Sequence, residues 1–158
     1  MEQSFLFVGI DVSKLKHDIA IVNEQKKLVH KIFVIDDTRD GYQFLHHKLS
    51  WLKQKYQITQ FFIGLEATSD YWKNIYYDLK KQSTDYQVTV INPFQIHVFS
   101  KSILRRAVTD AVKAKDIALF MIEKKPAPSM DRPTVFENIK DVDTQIYHLK
   151  KQQTMTIN

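Results

Sequence analysis

Hydrophobic and polar positions sort first into three short runs rich in Val, Ile and Phe: Phe5 to Asp11, His17 to Asn23 and Leu28 to Ile35, with polar turn material between them. Runs of that length and composition read as strands, and their close succession predicts an antiparallel meander. The pattern then changes period. After Asp37 and Thr38, which can cap a helix, Leu45, Leu49, Leu52 and Tyr56 recur at three- and four-residue intervals, the spacing of one helical face. Gln60 to Leu65 is an apolar run suited to a buried strand. Thr68 or Ser69 can cap a second helix that buries Trp72, Ile75, Tyr76 and Leu79, and Gln87 to Ile91 gives another strand ending at Asn92-Pro93. A further helix is predicted from Thr109 to about Lys124. Strand and helix alternating after a meander imply an α/β fold, a mixed sheet with parallel members and flanking helices.

Pro126, Pro128 and Pro133 supply the one clear boundary, since proline lacks the amide donor and fixes its φ. The expected division is a domain over 1–125, a proline-containing link over 126–133 and the start of a helical segment over 134–158. In that last segment Val135, Ile139, Val142, Ile146 and Leu149 follow a heptad seam, the start of a coiled-coil helix that the sequence leaves unfinished.

Composition narrows the class. With 158 residues, 26% charged, 44% hydrophobic and only three glycines, the chain suits one folded domain. The absence of cysteine excludes a disulfide framework, a thiolate zinc site and a cysteine nucleophile. No apolar run reaches membrane length and the start lacks a signal-peptide pattern, so a cytoplasmic protein without a membrane partner is expected. The formal charge is +5, and from His97 to Lys125 seven Lys or Arg face three acids. Such a stretch suits a polyanion, and Lys101, Arg105 and Arg106 are the candidate phosphate contacts, with a solvated basic face as the alternative. The six histidines show no metal-ligand spacing and are expected at the surface; Tyr71, Trp72, Tyr76 and Tyr77 are expected in packing rather than base stacking.

Two acids share a local pattern. Asp11 ends Val8-Gly9-Ile10-Asp11 and Glu66 ends Ile63-Gly64-Leu65-Glu66, each apolar, Gly, apolar, acid. Glycine in a strand often marks close backbone approach. If the two strands are neighbours, the carboxylates meet at one sheet edge and repel unless a cation lies between them, and hard oxygen donors suit Mg²⁺ or Mn²⁺. The other reading is that each acid caps the turn or helix after it. Spacing alone leaves both open, and the same holds for Asp110 in a first helical turn. A nucleotide-phosphate site is disfavoured because no glycine-rich loop is present.

The ordered motifs VGIDVSK (8–14), LEATSDYW (65–72), NPFQ (92–95), FSKS (99–102) and TDAVKAKDIA (109–118) together resemble the DEDD transposases of bacterial insertion sequences, the family that includes the Piv DNA invertases. The resemblance covers essentially the whole chain. It implies a RuvC-like branch of the ribonuclease-H-like fold and makes Asp11, Glu66 and Asp110 the first three acids of a catalytic set holding Mg²⁺ or Mn²⁺ for DNA strand cleavage and exchange. It implies DNA as partner, a structured guide RNA as a further one, a homo-oligomer formed through the C-terminal helix, and a place at the bacterial nucleoid. The family's fourth acid normally stands three residues after the third; here that position is Lys113. Three residues along a helix is nearly the same face, so an ammonium replaces a carboxylate there. Asp116 lies roughly 120° off that face at 3.6 residues per turn. The readings left open are an inactive nucleic-acid-binding or assembly module, a site that works with one metal and a lysine, and an introduced substitution.

Overall fold

The computed structural model describes residues 3–103 and 110–130, the side chains of Asp110 and Ala111 excepted. The strands are β1 (Phe5–Val12), β2 (Lys16–Val22), β3 (Phe33–Asp36), β4 (Gln60–Glu66) and β5 (Tyr86–Ile91), and the helices α1 (Arg39–Tyr56), α2 (Trp72–Gln82), α3 (Pro93–Ser102) and α4 (Asp110–Lys124). The sheet order is β3-β2-β1-β4-β5. β1 to β3 form the antiparallel meander, and β4 and β5 run parallel to β1. This is the ribonuclease-H-like mixed sheet with flanking helices that the motifs imply; the coiled-coil expectation falls on 134–158, outside the described residues.

Strand alternation builds two cores. Leu6, Val8, Ile10 and Val12 of β1 and Phe61, Ile63 and Leu65 of β4 pack with Leu45, Leu49 and Leu52 of α1 and Ile75, Tyr76 and Leu79 of α2. On the other face Phe7 and Val22 pack with Ile96 and Phe99 of α3 and Ile117, Ala118, Phe120 and Met121 of α4. At the centre of that second face Gly9 and Gly64 stand side by side in register. A Cβ on Gly9 would overlap the Ala114 carbonyl oxygen and lie 2.5 Å from the Ala118 nitrogen, and one on Gly64 would lie 2.9 Å from Met121 Cγ. The two glycines are what let α4 press its backbone onto the sheet.

Several local expectations need correction. Thr38 caps α1 as predicted, its hydroxyl accepting from the Gly41 amide, but Tyr56 at the helix end is exposed. Neither Thr68 nor Ser69 caps α2: the N-cap is Tyr71, without a side-chain bond, and Ser69 holds a left-handed φ of 53°. The third strand is shorter than Leu28 to Ile35, because before Phe33 only Leu28 bridges to Val22. Asn92-Pro93 does more than end β5. Asn92 accepts from the Phe94 amide and Pro93 opens α3, a helix the sequence pattern did not predict.

Past α4 the proline-bearing segment lies on β5. The Ser129 amide donates to Val88 (3.0 Å), the Val90 amide to Ser129 Oγ (2.8 Å) and Thr89 Oγ1 to the Ala127 carbonyl (3.2 Å). These bonds occupy backbone groups of an otherwise open sheet edge.

Candidate active site

The β1–β4 ladder fixes where the two motif acids fall. Ile10 pairs with Leu65, so the next position on each strand sets Asp11 beside Glu66. Both are two residues past the paired glycines and therefore point to the α4 face. Both are buried, at 7% and 5% exposure. Glu66 Oε2 is buried without a hydrogen-bond partner, a costly state for a carboxylate oxygen unless a cation serves it.

α4 supplies that cation and the helix end above it. Lys113 meets Glu66 at the end of β4, whereas Met121 and Ile122 line a pocket with Phe5 and Phe7 at the start of β1, so the helix runs back along β1 with its first turn at the acidic end of the strands. Lys113 places Nζ 3.6 Å from Glu66 Oε2, its side chain 39% exposed. Asp110, the first residue of α4, lies four residues before Ala114, or about 6 Å along the helix axis. Asp11 lies two residues past Gly9, about 6.6 Å along the strand. The side chain of Asp110 lies outside the described residues, as do Arg105 and Arg106. Lys101 is exposed in the last turn of α3. Asp116 is fully buried along α4.

One acid escaped the sequence reading. Asp18 on β2 stands directly opposite Asp11, and opposed residues share a sheet face, so Asp18, Asp11 and Glu66 form a row across three strands. A tight β1–β2 turn was the available signal, since it fixes which residues oppose each other. Among the described residues no three acidic or histidine side chains converge into a metal cage. The donors that are described, two carboxylates side by side with one buried oxygen that accepts no hydrogen bond, suit a hard divalent ion.

The turn that follows Asp11 is held from the opposite face. The Ser13 amide donates to His17 Nδ1 (3.3 Å) and to the Lys16 carbonyl (3.2 Å), while the Asp37 amide donates to Leu15 (2.8 Å). With Nδ1 accepting, His17 carries its proton on Nε2 and donates to Asp37 Oδ1 at 2.9 Å. Tyr42 donates to the same carboxylate. Burial pushes the Asp37 carboxyl up, but the bonds from Tyr42 and His17 outweigh it and hold the group below its ordinary value. His17 is fully buried, and His46 is buried with Nε2 2.6 Å from Asp78 Oδ2. This corrects the surface placement expected for these two histidines, each of which has a carboxylate partner 20 or 32 residues away in sequence; His47 and His97 are exposed as expected, and His148 lies outside the described residues.

No helix among the described residues is long and apolar enough to cross a membrane. No curated protein sequence matches the chain. Among solved structures the chain is similar to T. thermophilus RuvC in complex with Holliday junction substrate, at 12% identity and a TM-score of 0.49, covering 77% of this chain and 95% of that one. It is also similar to the Fowlpox virus resolvase in complex with Holliday junction DNA, at 16% identity and a TM-score of 0.44, covering 78% and 99%. A family model described as a transposase, that of the IS110-type DEDD transposases, matches residues 8–158, and the chain belongs to that family.

Proposed function

We propose that this chain is the N-terminal catalytic domain of a metal-dependent DNA transposase or site-specific recombinase, cutting and exchanging DNA strands. The observation that carries the reading is the pair of buried carboxylates, Asp11 and Glu66, at the ends of adjacent parallel strands beneath the first turn of α4. Asp11, Glu66 and Asp110 would hold Mg²⁺ or Mn²⁺, which when bound activates a water or hydroxyl and offsets charge at the phosphorus. The protein's own part is to fix the carboxylates on a rigid sheet and shield them from solvent. Lys101, with Arg105 and Arg106, would bind phosphates. DNA is the proposed partner and a guide RNA a further one, in a homo-oligomer that the segment 134–158, expected from its heptad seam to be helical, would join after the domain of 1–125 and the link of 126–133. A site of action at the nucleoid belongs to the same reading.

A second reading is favoured by the Lys113–Glu66 contact: a nucleic-acid-binding or assembly module that keeps the fold without cutting. Incubation of the full chain with branched and linear DNA, with and without Mn²⁺, separates the two. Mn²⁺-dependent cleavage that Asp11→Asn abolishes supports the catalytic reading. Salt-dependent binding indifferent to Mn²⁺ and without cleavage supports the second.

A further inference from the structure

Lys113 enters the acidic site from a fixed platform. Its Cα is one residue from Ala114, whose carbonyl is pressed onto Gly9, so the stem starts from a point the packing of α4 determines. Its ammonium lies 3.6 Å from a buried Glu66 oxygen that has no hydrogen bond, while the side chain as a whole stays 39% exposed. The contact is close enough for charge attraction yet too long for a good hydrogen bond. The lysine is therefore a tethered positive charge beside Glu66 rather than a locked structural partner.

We infer that Lys113 occupies the place of a second divalent cation, so that the site takes one Mg²⁺ or Mn²⁺ rather than two. The inference rests on the metal-binding reading of Asp11 and Glu66. Asp11 would be the principal holder of the single ion, since the ammonium faces Glu66. Unit charges a few ångströms apart in partly buried surroundings interact strongly, so the lysine lowers the affinity for that ion as well as excluding a second.

Calorimetric titration with Mn²⁺ of the full chain and of Lys113→Gln, Lys113→Asp and Asp11→Asn tests this. The wild type is expected to bind one ion. Lys113→Gln should bind one ion at least about tenfold more tightly, since a repelling charge is gone. Lys113→Asp, which adds a carboxylate, should bind two. A wild type that binds two ions, or a Lys113→Gln that titrates like the wild type, overturns the inference. If Asp11→Asn loses the ion while Lys113→Gln is unchanged, only the role of Lys113 falls. If Asp11→Asn titrates like the wild type, the metal reading falls and this inference with it.

Discussion

Replacing Gly9 by alanine tests how the site is assembled. The added Cβ would overlap the Ala114 carbonyl oxygen and stand 2.5 Å from the Ala118 nitrogen, against an ordinary contact of about 3.5 Å. Both atoms are backbone, so no rotamer relieves the clash and α4 must withdraw from β1 by about an ångström. Overpacking of this kind costs typically 1–3 kcal/mol, and a backbone obstacle puts Gly9→Ala at about 3 kcal/mol or more. For a chain of this size that is a fall in melting temperature of roughly 6–12 °C. Gly64→Ala is the internal control. Its Cβ would meet Met121 Cγ at 2.9 Å and Ile117 Cγ2 at 3.0 Å, both side-chain atoms, and methionine adapts readily, so the cost should stay below about 1.5 kcal/mol. Circular dichroism melts of the two variants give the comparison. Equal melting temperatures for Gly9→Ala and wild type would refute the close seating of α4 and the placement of Lys113 and Asp110 that depends on it.

Other consequences follow from the same contacts. Leu49→Ala, emptying a fully buried position between α1 and the sheet, should cost about 2–5 kcal/mol in urea denaturation. Thr38→Ala removes the cap on the Gly41 amide and should cost about 1 kcal/mol by the same method. Asp37 has a depressed folded-state pKa, so the stability it contributes is present above its unfolded value and lost as pH falls through the folded one. Asp37→Asn should thus be less stable than wild type at pH 7, with the gap closing below about pH 4; a gap that does not vary with pH would argue against an ionised partner for His17. Lys101→Ala should weaken DNA binding alike across sequences and reduce the salt slope by about one, read by fluorescence anisotropy.

Much of this architecture was legible because local and tertiary demands agree. Leu45, Leu49 and Leu52 read as a helical face and are fully buried. The repeated glycine-before-acid pattern pointed to close backbone approach and, only if the two strands are neighbours, to paired carboxylates, with end-capping left open; the register of β1 with β4 makes them neighbours. What stayed hidden depended on partners distant in sequence. His17 and His46 look like polar surface residues until Asp37 and Asp78 are folded against them. Asp18 joins the acid row only through the hairpin register. α3 was obscured because Phe94 and Val98 are exposed, which blurs the apolar stripe, although Asn92-Pro93 carries a strong start signal. Tyr56 fits the α1 periodicity but falls at the helix end, where Lys55 lies over its ring.

The most direct test of the central claim is binding of Mn²⁺ followed by the electron paramagnetic resonance of the free ion, on the full chain and on Asp11→Asn and Glu66→Gln. The two carboxylates sit side by side on adjacent strands, so each substitution alone should return most of the bound Mn²⁺ to solution while the circular dichroism spectrum stays native. Undiminished binding in either variant would contradict a divalent-metal centre built on Asp11 and Glu66.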